Sequence, residues 1–222
     1  MSEHTNSSLS SYFSPKTLTQ FGVTGISLVA SVSYMNTSFK KGGINPLLRK
    51  IPIIKNLTPV KECMIEMDLD LSCVVLDDKK NIIDVIWYGQ LSNHDDSIYH
   101  GGDGLMGAMD FEQRLHHQEQ IHVRLSQLSK NAHELLFFVS SYHFHDLCLA
   151  NKGVLKLSDN ENNTIHKYHL SDIQKGIHAV LAWRILRQSD DFLIKAPFAP
   201  VIIKDNNPKV FIQTLKSFAA QS

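Results

Sequence analysis

The sequence predicts an all-β chain: an antiparallel β-sandwich with short flanking helices, one of them C-terminal. Three observations carry this. Apolar residues recur in short runs, several of them alternating with period two. Polar turn clusters interrupt those runs roughly every ten residues. No run leads into the long amphipathic pattern of a βαβ unit; only the C-terminal stretch changes to helical period.

Residues 1–20 are rich in Ser, Thr and Asn and read as a flexible N-terminal tail. In Phe21–Met35, Ile26, Leu28, Ala30, Val32 and Tyr34 alternate as a half-buried strand does. That run is too short for a membrane span of roughly 20 apolar residues, and it carries Thr24, Ser27, Ser31 and Ser33. Its place and its weakly charged flank also make a poor signal peptide, so a cytoplasmic protein is expected. Residues 36–62 hold Gly42, Gly43, Pro46, Pro52 and Pro59, and predict neither regular helix nor central strand.

From Glu66 the strand signals crowd together. Asp68–Leu76 and Ile82–Tyr88 flank a polar turn as a hairpin. Ile121–Leu125 alternates, and Leu135–His145 is a long apolar, aromatic-rich run. Two more hairpins are expected: Val154–Leu157 with Thr164–Leu170, and Ile177–Leu186 with Phe192–Ala196. Asn207-Pro208 then reads as an N-cap with proline at the first helical position, and Phe211, Leu215 and Phe218 share one helical face. The expected division is a tail over 1–20, one sandwich domain over 21–205, and a helix over 206–222 packed on it.

Composition narrows the function. The 222 residues hold 22 Lys+Arg and 22 Asp+Glu, so bulk charge recruits neither nucleic acid nor a membrane surface. A hydrophobic content of 43% suits one well-cored soluble domain. Three cysteines form no disulfide framework, which fits a reducing compartment. There is no G-x-S-x-G, no phosphate-cradling glycine loop and no motif around Cys63, Cys73 or Cys148, so no enzyme is indicated.

Two strings carry chemistry. In Met67-Asp68-Leu69-Asp70-Leu71 the two acids lie two apart, hence on one strand face, where a hard cation with oxygen ligands would relieve their repulsion. In Ser97-Ile98-Tyr99-His100-Gly101-Gly102-Asp103-Gly104, continuing to Gly107, glycines let backbone carbonyls turn toward one point beside a carboxylate. Asp110, Glu112 and Glu119 add acids farther on. The spacing is not that of an EF-hand. A wet strand entrance and a solvated surface loop explain the same residues without a metal.

These strings, with Trp87-Tyr88 closing a strand and Glu119-Gln120-Ile121-His122-Val123-Arg124-Leu125, resemble in order the TerD family of tellurium-resistance and stress-response proteins. The likeness runs from about residue 66 to about 196. Arg187 and the turn after it resemble a late hairpin of the family, with Phe192 where Trp is usual, and Lys40-Lys41-Gly42-Gly43 faintly resembles its start. The resemblance implies a non-enzymatic Ca²⁺-binding β-sandwich that works with other proteins of a stress or tellurite-resistance system. It places the metal on Asp68, Asp70, Asp103 and Glu119, with backbone oxygens at Gly104 and Gly107. The chain departs from the family where Asp-Asn becomes Asp103-Gly104 and Gly-Asp-Asp-Glu becomes His117-Gln118-Glu119, across a longer loop. Losing two carboxylates lowers the charge that sets Ca²⁺ affinity. The implied site is then weakened, cut to one ion, or lost, leaving a metal-free interaction module with the 104–118 loop and the C-terminal helix as contact surfaces.

Of the 12 histidines, His143 and His145 are expected on one strand face, a start for zinc and for a hydrolase built on it. Cys148 and His116, His117 and His122 are the further donors that such a site would recruit. No zinc-ligand spacing accompanies them. His166, His169 and His178 read as surface residues near turns, and Cys73, Trp87, Phe137, Phe138 and Trp183 as core.

Overall fold

The alternation at residues 28–34 becomes a strand buried on one side: Leu28, Ala30, Val32 and Tyr34 all lie in the main core. It belongs to a computed structural model that describes residues 13–23, 27–35, 37–41, 63–101, 116–205 and 207–221. In chain order the strands are β1 (Lys16–Thr17), β2 (Ser27–Met35), β3 (Ser38–Lys41), β4 (Cys63–Glu66), β5 (Leu69–Leu76), β6 (Ile82–Ile86) and β7 (Ile98–His100). There follow β8 (His116–Arg124), β9 (Glu134–Ser141), β10 (Val154–Asp159), β11 (Thr164–His169), β12 (Ala179–Gln188), β13 (Asp191–Lys195) and β14 (Ala199–Pro200). One α-helix, α1, spans Pro208–Gln221.

Two antiparallel sheets face each other. The first runs β1-β13-β12-β9-β5-β6, with β14 beside β12; the second runs β11-β10-β2-β8-β7. The expected hairpins form: β5 pairs with β6, β10 with β11, and β12 with β13. Between the sheets lie Leu69, Leu71, Cys73, Phe137 and Trp183 from the first and Leu28, Val32, Ile121 and Leu157 from the second. A second core sits on the outer face of the first sheet, where Phe211, Leu215 and Ala219 of α1 cover Val74, Leu76, Leu136 and Phe138. Every residue of β5 is therefore buried. Asn207 caps α1 as its sequence requires, its Oδ1 accepting the Lys209 N–H at 3.0 Å.

One stretch departs from expectation. Residues 13–20 are not an unpacked tail: Lys16 and Thr17 pair with Ile194 and Leu193, and Leu18 is buried. Residues 1–12 lie outside the described residues. Within 36–62, where no regular helix or central strand was expected, residues 38–41 form β3, which pairs with β4 in a separate two-stranded sheet, and residues 42–62 lie outside the described residues. No helix among the described residues is long and apolar enough to cross a membrane.

Candidate functional site

β6 pairs with β5 only from Cys73 onward, so the first residues of β5 run beyond their neighbour on that side. The Leu71 N–H is taken instead by Glu119, whose Oε2 accepts it at 2.6 Å from the opposite sheet. Glu119 points inward because it alternates with the core residues Ile121 and Val123 of β8. It is 7% exposed, so its carboxylate needs these partners. The ring of His100, at the end of β7 and equally buried, brings Nε2 to 3.4 Å from the same Oε2.

Tyr34 completes the floor. Its hydroxyl donates to the Met67 carbonyl at 3.3 Å and accepts the Leu69 N–H at 3.2 Å, pinning the entrance of β5 to β2. Burial pushes the Tyr34 phenol far above its ordinary range, against the pull of the Leu69 N–H; Asp68, Glu119 and Asp70 push it further. Tyr88 reports the same pair from outside, raised by burial and then by Asp70, Tyr142 and Asp68. Asp68 is exposed just ahead of β5, while Asp70 is 8% exposed within it.

The structure places Asp68, Asp70 and Glu119 at the same end of the sandwich, but Glu119 points inward whereas Asp70, alternating with the inward Leu69 and Leu71, lies on the outer face of its sheet. Asp103, Gly104 and Gly107 lie outside the described residues, as do Asp110 and Glu112. The chain leaves the described residues just after Gly101, beside His100, and re-enters at His116, shortly before Glu119. Among the described residues no group of three or more His, Cys, Asp or Glu is placed to hold a metal ion. Oxygen donors of this kind suit a hard cation such as Ca²⁺, which takes six to eight of them. Sequence reasoning quoted His100 without a role and left Tyr34 as an ordinary core residue. The signal was a hydroxyl on an otherwise aliphatic face, which has to find partners when buried.

The histidines fall elsewhere than expected. β9 ends at Ser141, so His143 and His145 sit in a turn rather than on a shared strand face, with Phe144 between them at φ +57°. The zinc reading and its hydrolase lose that basis. His178 Nδ1 lies 3.5 Å from Asp146, and His122 stacks flat on Tyr99 at 4.7 Å. His166 is not a plain surface residue: its Nδ1 accepts the Trp183 indole N–H. Cys73 is core, and burial pushes its thiol well above the ordinary range. Arg187 closes its hairpin from the side, over the Phe192 ring at 4.9 Å and donating to the Ala132 carbonyl.

A TerD domain family model matches residues 35–197. The tellurium resistance protein TerZ of Serratia marcescens is 28% identical over 124 residues, covering 56% of this chain and 61% of TerZ. The match thus spans under two thirds of that relative. Among solved structures, the crystal structure of the unknown-function protein SAV2460 has a TM-score of 0.58 at 11% identity, covering 86% of this chain and 97% of its own. SCO6318 of Streptomyces coelicolor A3(2), described as a homologue of a telluride resistance protein (TerD), has a TM-score of 0.54 at 11% identity, with 84% and 95% covered. At that identity these two speak for the fold. The family model spans most of the sandwich and takes in β5, β8 and the acids between them, and on that ground the chain belongs to the TerD family.

Proposed function

We propose that this chain is a tellurium-resistance-type stress protein that binds Ca²⁺ and acts, without catalysing a reaction, through contacts with other proteins of such a system in the cytoplasm. The observation that carries this is that Glu119 of the facing sheet reaches the Leu71 N–H, one residue after Asp70, so the acids of the two strings meet at the same end of the sandwich. Those acids would hold the cation together with Asp103 and backbone oxygens at Gly104 and Gly107. The bound ion would supply positive charge that orders acids otherwise repelling one another. Ordering that end of the sandwich would present a surface to a partner.

One observation favours the metal-free module as the second reading. Glu119 already gives one oxygen to the Leu71 N–H and has His100 beside it, so this buried acid has partners without a cation. Calorimetric titration with CaCl₂, paired with thermal melting, separates the two. Calcium binding requires heat uptake or release and a raised Tm in the wild type, both lost in Asp68→Asn, whose exposed position leaves the fold intact. No heat and no Tm shift at millimolar calcium would leave the metal-free reading standing.

A further inference from the structure

α1 buries Phe211, Leu215 and Ala219 against the first sheet, and its other flank stays open. Between that flank and the chain following β14 runs a groove of about 780 Å³. Val210 and Phe218 line it from the helix, and Val201 and Ile202 from the facing segment. Ile202 is 77% exposed and Val210 39%. Because both line one trough, they make a joined apolar patch rather than a single exposed side chain.

The groove has one sign of charge. Lys204 and Lys209 stand in its lining, and the lining holds no acid. α1 itself contains Lys209 and Lys216 and neither Asp nor Glu. The nearby Asp205 turns its Oδ1 to the Asn207 N–H at 2.9 Å. Among the described residues neither Lys204 nor Lys209 enters an ion pair. Two unpaired ammonium groups flanking an apolar trough, in a chain whose charges otherwise balance at 22 against 22, ask for carboxylates from outside.

We propose that this groove docks an acidic amphipathic helix of a partner protein, its apolar residues on Ile202, Val210 and Phe218 and its carboxylates on Lys204 and Lys209. A helix laid beside α1 meets it as helices meet in bundles, with anchors spaced three and four apart. A second copy of the chain is disfavoured, because a two-fold contact would set the lysines of one groove against those of the other. A flat lipid surface is disfavoured because the apolar side chains line a trough rather than crown a ridge. None of Asp68, Asp70 and Glu119 lines the groove, so the proposal does not rest on calcium binding.

The test is selection of a random-peptide display library on the full chain, followed by fluorescence anisotropy on a synthesised winner. The expected consensus is rich in Asp and Glu with apolar residues at i, i+3, i+4 and i+7. Ile202→Ser is expected to weaken binding about tenfold, as loss of a central anchor does. Lys204→Glu with Lys209→Glu is expected to weaken it at least as much at low salt and less at high salt. These positions are on the surface, so the variants keep the fold. Failure to select any peptide, a neutral or basic consensus, or equal binding by the variants would overturn the proposal. So would sedimentation with phosphatidylserine vesicles, or a self-dimer, that Ile202→Ser abolishes.

Discussion

The indole Nε1 of Trp183 donates a 3.1 Å hydrogen bond to Nδ1 of His166, tying an inner strand of one sheet to the edge strand of the other. An indole N–H can only donate, so His166 must keep its Nδ1 lone pair and carry its proton on Nε2. Phe13 packs edge-on against the same ring at 4.5 Å, and Phe198 lies at 5.6 Å. The side of the sandwich closes on a neutral imidazole.

That imidazole makes stability depend on pH. Burial lowers the His166 pKa below its ordinary value, so the unfolded chain takes up the proton first. The contribution is fully present above about pH 6.5 and is lost as pH falls from there through the folded-state pKa. Urea unfolding at about pH 7.5 and about pH 5.5 should show a smaller loss on acidification in His166→Gln than in the wild type. His166→Leu should cost about 1–3 kcal/mol at pH about 7.5, since it orphans a buried N–H, and less at pH about 5.5, where the wild type has already lost part of the contribution. An unchanged pH slope in the glutamine variant would sink the assignment.

Glu134 is 2% exposed and holds two cations. Arg184, itself largely buried, donates through Nε and Nη2 to its Oε1 at 2.6 and 2.5 Å; Lys80, nearly half exposed, pairs with Oε2. The two cations should not be equal. Arg184→Ala leaves a buried carboxylate poorly compensated and should cost about 3 kcal/mol, whereas Lys80→Ala should stay within about 1 kcal/mol. Denaturant midpoints at constant m-value measure both.

Gly153 admits no side chain. A Cβ there would stand 2.7 Å from Leu170 Cδ1 and 2.9 Å from both Leu170 Cβ and Ala150 Cβ. Both neighbours are buried, and the Gly153 carbonyl accepts the Leu170 N–H at 2.9 Å, so little can yield. Gly153→Ala should destabilise by about 1–3 kcal/mol and lower Tm by several degrees. A melting curve that overlays the wild type would show that the Ala150–Leu170 contact opens at no cost.

Strands buried on one face were readable from sequence because alternation records that asymmetry; β2 is the clear case. β5 was also found, although burial on both faces ends its alternation after Cys73, at Val74-Val75-Leu76. β1 was missed because two residues carry no period, and its partner in β13 lies almost at the far end of the chain. His166 was misread because local polarity says nothing of an indole arriving from another sheet. His143 and His145 were misplaced because an apolar run does not mark where a ladder stops, here at Ser141. At the acid site the residue types and the Asp68–Asp70 spacing were legible. That Glu119 also closes a backbone gap at Leu71 was not, because it depends on where β6 begins to pair.

β2 occupies the middle of its sheet, between β8 and β10, and Lys16 meets Ile194 across most of the sequence. Both sheets are woven from remote portions of the polymer. No fragment can be excised as a self-sufficient half, because removing residues 27–35 separates the β7-β8 pair from the β10-β11 pair and bares a new edge on each. Folding should accordingly be slow and all-or-none, and a single internal nick should liberate aggregation-prone pieces rather than a trimmed domain.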